Sequence, residues 1–587
     1  MWPIAGKASL AAGLFAAALG CPAMAACVGE NAGLSLPPGF CATIFADKIG
    51  HARHLVVAPN DVVYVNTWSG RYYGNDTPPP GGFLVALQDK KGLGKADVVV
   101  RFGPTAAHGS KGGTGVGLYK DWLYFEVKDR IERIRLPSSG VAPAKGLAPA
   151  KGLAPEGPSE VVVSGLPLTG DHPMHPFAID DKGALYIDLG SATNSCQAEN
   201  RMADQPGHDP CVELETRAGI WRYDANTLGQ KFSPGERFAT GLRNGEGFAF
   251  DRAGRLFATQ HGRDQLAENW SKLYTHAQGA ELPAEELVQL EQGADFGWPY
   301  CYFDGEQDKL VLAPEYGGDG GKKIGVCATK KPPVAAFPGH WAPNAMAFYD
   351  GALFPESYRG GVFIAFHGSW NRAPLPQGGY NVVFQPLADG KPMGEFIVFA
   401  DGFAGANKTP AGAAHRPSGV AVGPDGALYI SDDKNGRIWR VTYSGDRTAA
   451  LQAAPAAGDA ASSSSPVRPP EGIHPDAGAI APPGVRPETV ALGGRIFRGE
   501  EDGGPCIGCH GADAKGSPLG GDLTSGKWLW AKGSLSSIRQ IIENGVPHPK
   551  AHAGAMPPKG GAALSEADVD ALAAYVWSIS RKKTAGE

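Results

Sequence analysis

The chain has 587 residues, which exceeds one ordinary domain and predicts two or more folding units. Its net charge of −6, without a long Lys/Arg cluster, argues against a nucleic-acid partner. The 83 glycines and 49 prolines favour short strands and frequent turns over long helices.

Residues 1–25 have the pattern of a secretory signal peptide. Lys7 supplies a short positive region, residues 10–19 are apolar, and cleavage is expected after Ala25. The apolar run is too short to span a bilayer, and no later segment has a transmembrane pattern. We therefore expect a periplasmic protein without a membrane span. A lipoprotein processed at Cys21 is the alternative, although the residues before it form a poor lipobox.

Six cysteines outside the signal peptide and the haem motif described below fall into local pairs. An even number in an exported chain predicts disulfides. The expected bonds are Cys27–Cys41, Cys196–Cys211 and Cys301–Cys327. Scattered buried thiols are the alternative, and metal binding is disfavoured because none of the six forms a Cys-x-x-Cys pair.

Residues 26–446 contain a loose repeat of an apolar strand, a polar turn and a second strand rich in Leu, Tyr and Val. The six copies are His54–Val65, Gly115–Phe125, Pro176–Ile187, Gly247–Ala258, Ala345–Phe354 and Gly419–Ile430. Several are followed by a third strand, so each unit resembles most of a propeller blade. The pattern predicts an all-β six-bladed propeller, with a large β-sandwich as the alternative.

Residues 447–487 are rich in Ala, Pro and Ser and predict a flexible linker. Helical periodicity begins only after this segment, so residues 488–587 are expected to form a second, all-α domain. Together the two parts predict a multidomain chain.

The second domain contains the sequence Cys506-Ile-Gly-Cys509-His510, the signature of covalent c-type haem attachment. Cys506 and Cys509 would form thioethers with one haem, and His510 would bind its iron. A zinc site or a chance match is the alternative.

Helices are expected on both sides of this motif, and the last one begins after a Ser565 cap. The segment resembles a class I cytochrome c. That resemblance implies a methionine as the sixth iron ligand, and Met556 has the matching position. His548 and His552, in the same loop, are its rivals. A thioether ligand raises the reduction potential, which suits electron acceptance.

Four stretches of the propeller region contain candidate functional residues. They are Thr169-Gly-Asp-His172, Gly241-Leu-Arg-Asn-Gly-Glu-Gly247, Phe366-His-Gly-Ser-Trp-Asn-Arg372 and Arg416-Pro-Ser-Gly-Val-Ala-Val-Gly-Pro-Asp-Gly426. They resemble the soluble glucose/sorbosone dehydrogenase family, in particular its sorbosone dehydrogenase-like branch. This family has a six-bladed propeller that binds pyrroloquinoline quinone (PQQ) and Ca²⁺.

The resemblance implies roles for individual residues. His172 would be the general base that removes a hydroxyl proton as hydride leaves carbon, with His175 as its rival. Arg243 would stabilise the reduced quinone, and Asn244 would hydrogen-bond it. The backbone carbonyls of Gly262 and Arg263 would bind Ca²⁺.

The same resemblance assigns the rest of the PQQ cradle. Arg416 would pair with a carboxylate of the quinone. His367 and Arg372 stand where the family has a lysine, Glu246 stands where glutamine is usual, and Arg263 replaces a proline. We therefore expect a cradle that differs in detail from the family pattern.

These features predict a quinohaemoprotein that oxidises an aldose or sugar aldehyde. Its electrons would pass to its own haem and then to an external acceptor, either a cytochrome or the quinone pool. Two other classes of protein remain as alternatives. One is a non-catalytic carbohydrate-binding propeller with an electron-carrying domain. The other is a haem enzyme acting alone, such as a peroxidase, which an intact methionine ligand argues against.

Overall fold

Six sheets, arranged as a β-propeller, account for most of the chain. Five are antiparallel with four strands, and the sixth adds to its four antiparallel strands a fifth, Gln230–Lys231, that pairs in parallel. The computed structural model describes residues 31–68, 79–105, 113–137, 153–155, 157–372, 375–410, 412–455, 480–498, 506–511, 514–516, 520–546, 549–552, 556–562 and 564–581. The predicted signal peptide, Cys27, His548 and residues 456–479 of the predicted linker lie outside these ranges. The boundaries expected for the signal peptide and the linker therefore stay predictions.

Five of the six predicted repeats form the first two strands of one blade, which confirms the propeller. The repeat Ala345–Phe354 forms only a first strand, because the second strand of its blade, Val362–Phe366, lies further along the chain. The first three blades are Leu55–Val57, Val63–Asn66, Leu84–Gln88 and Val98–Phe102; Val116–Tyr119, Trp122–Val127, Arg130–Arg135 and Glu160–Ser164; and Phe177–Ile179, Ala184–Leu189, Gly219–Asp224 and Arg237–Thr240. The next two are Phe248–Phe250, Leu256–Gln260, Glu285–Gln289 and Ala335–Phe337; and Pro343–Phe348, Val362–Phe366, Asn381–Gln385 and Ile397–Ala400.

The sixth blade closes the ring by combining the two ends of the propeller sequence. Strands Pro417–Val422, Leu428–Asp432 and Ile438–Tyr443 pair in order, and the amino-terminal strand Phe40–Ala46 adds to the last of them. The register is antiparallel, with Phe40 opposite Tyr443 and Ala42 opposite Val441. This pairing covers an edge that would otherwise expose unpaired backbone groups.

Apolar side chains fill the space between neighbouring blades. Phe40 of the closing strand packs edge-on against Phe354 and Phe399 of the fifth blade, with ring centroids 4.8 and 4.9 Å apart. Such aromatic pairs add to the free energy of burial alone. The blades therefore hold one another in place, and the loops at their ends are carried on a rigid ring.

Smaller elements lie in the insertions between strands. They are the β-hairpins Cys301–Asp304 with Lys309–Leu312 and Leu387–Ala388 with Lys391–Pro392, the strand Gln230–Lys231, and the α-helices Leu266–Asn269 and His276–Glu281. The 3₁₀ turns are Asn31–Gly33, Val212–Glu215, Pro234–Glu236, Pro314–Tyr316, Gly325–Thr329 and Glu356–Tyr358.

Two of the predicted disulfides, Cys196–Cys211 and Cys301–Cys327, are confirmed. Cys41 is also disulfide-bonded, whereas its expected partner Cys27 lies outside the described residues. Both confirmed bonds lie in insertions between blade strands, so they restrict these loops and not the propeller sheets.

The carboxy-terminal domain is helical, as predicted. Its helices are Pro487–Phe497, Cys506–His510, Leu535–Asn544 and Glu566–Ile579, with a 3₁₀ turn at Pro558–Gly561. Ser565 caps the last helix through a capping box with Asp568. The predicted apolar face of this helix, which includes Val569, Leu572 and Ile579, is buried.

The first and last helices of this domain approach closely at Gly493. A Cβ placed there would lie 2.0 Å from the carbonyl oxygen of Ala571. We therefore expect Gly493→Ala to destabilise the domain by about 1–3 kcal/mol, because the clash outweighs alanine's better helix propensity. Urea unfolding of the haem-loaded chain, followed by haem absorbance, measures this change.

Gly494→Ala is the matched control for this prediction. A Cβ at Gly494 would meet the ring edge of Tyr575 at 3.1 Å and the end of Arg498 at 3.2 Å, so these groups would need to move only a few tenths of an ångström. Equal unfolding midpoints for the two variants would contradict the proposed close packing of the helices.

None of the helices in the described ranges is both long enough and apolar enough to cross a bilayer.

Candidate active site

A cavity of about 830 Å³ opens at one end of the propeller. It lies where the second strand of a blade ends and the first strand of the next begins, so loops from several blades converge on it. Six of the predicted propeller-site residues line it directly, namely His172, Arg243, Asn244, Glu246, His367 and Arg416, together with Gly262. We call this part of the cavity the funnel.

His172 is held with one nitrogen available to the funnel. Its Nδ1 lies 2.9 Å from the backbone oxygen of Ser191, which can only accept, so Nδ1 carries the proton. Its Nε2 is consequently unprotonated and can act as a base. Burial, assisted by the positive charge of Arg243, lowers the pKa of His172 well below the usual value of 6.5.

His175, the rival base, is placed differently. Its Nδ1 lies 3.2 Å from Glu126 Oε1 and its Nε2 lies 2.9 Å from the Pro167 oxygen. Both ring nitrogens are therefore used inside the protein, and His175 is absent from the funnel wall. The geometry favours His172 as the base.

Arg243 is fixed by several bonds around its guanidinium. Nη1 donates to the Gly262 oxygen at 2.9 Å, and Nη2 donates to Asp264 Oδ2 at 3.0 Å. Nε and Nη2 also donate to the backbone and side chain of Asn194. Arg243 is only 3% exposed, and these bonds hold its guanidinium in one orientation at the funnel.

Asp264 connects Arg243 to a second arginine that the sequence did not single out. Arg201 Nη2 lies 3.0 Å from Asp264 Oδ2 and 3.2 Å from Asp171 Oδ2. Burial would raise the pKa of Asp264, but the guanidinium groups of Arg243 and Arg201 hold it well below its usual value. The carboxylate therefore stays charged and stabilises both arginines.

The remaining cradle residues form a second charged group in the funnel. Arg416 donates from Nε and Nη2 to the oxygens of His367 and Gly368, at 3.0 and 2.9 Å. His367 Nε2 lies 2.8 Å from Asp433. Burial and the charge of Arg416 lower the pKa of His367 to about 4, so the ring is neutral at physiological pH unless a ligand changes its surroundings.

Glu246 pairs with Arg53, an arginine that sequence reasoning missed. Arg53 bridges Glu246 and Asp433 with two contacts of 3.2 Å and also lines the funnel. Burial raises the pKa of Glu246, which the charge of Arg53 partly opposes. Arg53 precedes the first blade and has no motif around it, so only the closed ring brings it to this wall.

The funnel is chemically suited to a planar quinone with three carboxylates. Arg53, Arg243 and Arg416 present three guanidinium groups around one cavity, and Asn244 adds an amide. Guanidinium groups recognise carboxylates through paired hydrogen bonds. The residues present are therefore suited to PQQ.

Arg372 was expected in this cradle, and the structure corrects that expectation. Its Nη1 donates to the oxygens of Ala280 and Gly339 at 2.9 and 2.7 Å, and its Nη2 contacts Glu281 at 2.6 Å. It does not line the funnel. These contacts hold the insertion that carries the helix His276–Glu281, so Arg372 supports the loop rather than a ligand.

The predicted calcium position offers a partial oxygen shell. The Gly262 oxygen accepts from Arg243 and keeps one lone pair, and the carboxylates of Asp264 and Glu285 lie on the same wall. The Arg263 side chain forms an ion pair with Glu315, and the role expected of its backbone carbonyl stays a prediction. Within the described ranges, no group of three or more His, Cys, Asp or Glu residues is arranged to hold a metal ion.

The haem motif lines the other part of the same cavity, which we call the haem pocket. Phe497, Ile538, Ile542, Leu572 and Val576 form its apolar wall, and Cys506, Cys509, His510 and Met556 also line it. His510 Nδ1 lies 2.8 Å from the Gly521 oxygen, which leaves Nε2 for the iron. The site is therefore suited to one covalently attached haem.

Met556 is better placed than His552 to be the sixth ligand. Two backbone hydrogen bonds to Val546, of 2.6 and 3.0 Å, fix the Met556 segment against the pocket. The His552 ring instead lies close to Gly521, the residue that orients His510. A sixth ligand must approach the iron from the face opposite His510, so the geometry favours Met556. The third candidate, His548, lies outside the described residues.

Comparisons with known proteins agree with these two sites. A family model described as "TrAA12-like" matches residues 150–444, and one described as "Cytochrome C oxidase, cbb3-type, subunit III" matches residues 493–576. The propeller is 28% identical over 287 residues to the pyrroloquinoline quinone-dependent pyranose dehydrogenase of Coprinopsis cinerea, covering 41% of this chain and 37% of that one.

The cytochrome domain has its own relative. It is 36% identical over 94 residues to the cbb3-type cytochrome c oxidase subunit CcoP of Rubrivivax gelatinosus, covering 16% of this chain and 27% of that protein. The chain thus spans well under half the length of each of these curated relatives.

A solved structure supports the fold. The calcium structure of a Trichoderma reesei carbohydrate-active enzyme of family AA12 superimposes with a TM-score of 0.54 at 16% identity, covering 70% of this chain and 97% of that one. The expected resemblance to PQQ-dependent sugar dehydrogenase propellers joined to a cytochrome c is confirmed, whereas the sorbosone-type branch stays a prediction. The chain belongs to the TrAA12-like family and joins a propeller of that family to a cytochrome c domain.

Proposed function

We propose that this protein is a periplasmic quinohaemoprotein that oxidises an aldose or a sugar aldehyde of the glucose or sorbosone type. One observation carries the proposal. A basic His172 nitrogen and the fixed Arg243 guanidinium meet in a cavity that also contains the haem-attachment residues. A carbohydrate-binding propeller with an electron-carrying domain would not need the base.

Each residue of the funnel would have its own role in sugar oxidation. His172 Nε2 accepts the proton of the sugar hydroxyl, and the Ser191 oxygen holds the ring in the required tautomer. Arg243 stabilises negative charge that develops beside it during oxidation. When bound, PQQ would supply a two-electron acceptor and Ca²⁺ a Lewis acid that polarises it. Trp370 is half-buried and also lines the cavity, where it offers an aromatic face to a sugar ring.

Electrons would leave through the carboxy-terminal domain. His510 and Met556 would hold the haem iron, with the methionine favouring a potential high enough for acceptance. A separate cytochrome or the quinone pool would then reoxidise the haem. The periplasmic location rests on the signal-peptide pattern of residues 1–25 and on disulfides, which form in oxidising compartments.

A substrate screen tests the proposal. The full chain, carrying haem and loaded with PQQ and Ca²⁺, is mixed with aldoses and with sorbosone while haem absorbance is recorded. We expect haem reduction with at least one of these sugars and none without PQQ. Sugar binding without haem reduction in PQQ-loaded protein would instead support a carbohydrate-binding propeller.

The pH dependence of sugar oxidation follows from the state of His172. The neutral imidazole is the active base, and burial lowers its pKa well below 6.5. The base therefore stays active as the pH falls through 6.5, and we expect kcat/KM to decline only at clearly lower pH. A profile of kcat/KM against pH, followed by haem reduction, checks this. A loss of activity centred at 6.5 or above would contradict it.

A further inference from the structure

One hydrogen bond joins the propeller to the cytochrome domain at the edge of the shared cavity. Gln265 Nε2 donates to the backbone oxygen of Gly560 at 3.1 Å, and both residues line the cavity. Gln265 directly follows Asp264 in the funnel. Gly560 belongs to the turn Pro558–Gly561, close after Met556. The contact therefore links the loop of the predicted iron ligand to the charged group around Arg243.

The Gln265 side chain is oriented by Arg201. Arg201 Nη1 donates to Gln265 Oε1 at 3.1 Å while the same guanidinium is ion-paired with Asp171 and Asp264. Because Oε1 accepts this bond, the amide nitrogen is directed toward Gly560. Gln265 also has φ 60° and ψ 41°, a left-handed conformation that is uncommon for a residue other than glycine. The propeller thus holds this amide in one orientation.

The haem-attachment edge of the cytochrome lies beside the same group of residues. Cys506 and Cys509 line the cavity together with Arg201, Asp264 and Gln265. A single cavity therefore runs from His172 and Arg243 to the residues that would hold the haem.

We propose that the Arg201–Gln265–Gly560 contact docks the cytochrome domain over the funnel and that electrons leave the propeller in this docked form. The inference rests on the proposed function and adds the surface and the residues that position the two sites. Two electrons from one sugar would cross singly, each reducing a ferric haem iron to ferrous. The external acceptor reoxidises the iron between the two transfers. Two protons pass to water, one taken by His172 from the hydroxyl and one left by the hydride once its two electrons have moved to the haem.

Gln265→Glu tests the positioning role with little change in shape. The carboxylate can still accept from Arg201, but it cannot donate to Gly560 and would face the carbonyl oxygen. We expect sugar-driven haem reduction to slow by about fivefold or more, the effect of losing one hydrogen bond and adding repulsion. Sugar oxidation with a small artificial acceptor, which does not need the haem, should be retained. Gln540→Glu, an exposed change on the helix Leu535–Asn544, is the matched control and should alter neither rate.

A cross-linking experiment tests docking without any sugar or turnover. Lys559→Cys, in the haem-loaded full chain with Gln265 unchanged, is labelled with a benzophenone maleimide and irradiated. Lys559 adjoins Gly560 and already carries a side chain at φ +54°. The other described cysteines are disulfide-bonded or belong to the haem motif. We expect a cross-link within one chain to the propeller segment around Gln265, identified by mass spectrometry, and none when the same label is placed at Gln540→Cys.

The outcomes separate docking from catalysis. No cross-link within the chain would overturn the docked form, even if sugars reduce the haem. A cross-link together with an unchanged haem-reduction rate in Gln265→Glu would overturn its role in electron transfer. A cross-link in a protein whose haem no sugar reduces would leave docking supported and overturn the proposed function instead.

Discussion

Replacing His172 with asparagine is expected to lower kcat for sugar oxidation by roughly 10²- to 10⁴-fold, the range for loss of a general base. An asparagine amide can still donate to the Ser191 oxygen, which His172 Nδ1 contacts at 2.9 Å. It has no basic nitrogen in place of Nε2. The loss should therefore appear in kcat, measured as sugar-driven haem reduction, while binding of PQQ to the variant is retained.

His175→Gln is the matched control for this variant. His175 lies three residues after His172, but both its nitrogens contact protein groups and it is absent from the funnel. We expect this variant to lower the thermal unfolding midpoint, because the buried Glu126 loses a partner, while folded protein keeps its kcat. Loss of kcat in His175→Gln with normal kcat in His172→Asn would reverse the assignment of the base.

Arg243→Lys is expected to reduce kcat by roughly 10²- to 10³-fold, as for the loss of a fixed group that stabilises developing charge. The positive charge remains, but one ammonium cannot reach Asn194, Gly262 and Asp264 together. The cation would therefore lose its fixed position beside the quinone site. Single-turnover haem reduction, with the PQQ content of each variant measured, tests this prediction.

Arg437→Lys provides the control for the same chemical change at a surface ion pair. Arg437 contacts Asp47 at 2.8 Å, and both side chains are partly exposed. Such pairs contribute little to stability, so we expect neither kcat nor the unfolding midpoint to change measurably. A similar kcat for Arg243→Lys and the unchanged protein would show that charge alone, without fixed geometry, is sufficient.

Much of the fold follows from local sequence patterns. The six repeats predicted the first strand of all six blades and the second strand of five, because alternating apolar residues around a turn need only their neighbours to form a hairpin. The exception is Val362–Phe366, which lies beyond the repeat Ala345–Phe354. The Ser565 cap and the apolar face of the last helix were predicted for the same reason. The fourth strands and the closing strand Phe40–Ala46 had no comparable signal, since their pairing depends on residues far along the chain.

The site was predicted only where motif residues themselves face the funnel. His172, Arg243 and Arg416 belong to recognisable stretches and line the cavity. Arg372 belongs to such a stretch too, yet its side chain binds Ala280 and Gly339. A motif specifies which residues are neighbours along the backbone. It does not specify toward which surroundings each side chain turns after the blades pack.

Asp171 could have been identified from the sequence, because it directly precedes His172. Arg53 and Arg201 could not, since no pattern surrounds them. Each reaches the cavity because ring closure brings an otherwise distant loop to the same end of the propeller. Only the folded chain shows that these arginines are paired with buried carboxylates.

The order of the amino acids alone was sufficient to identify a covalent haem site, a repeating β-architecture and the chemical types of residue suited to sugar oxidation. Covalent attachment and strand periodicity depend on residues close in sequence. The folded chain was needed to select His172 over His175, to remove Arg372 from the cradle and to bring Gln265 to Gly560. Those distinctions depend on hydrogen bonds between distant segments, which form only when the blades and the cytochrome domain are packed together.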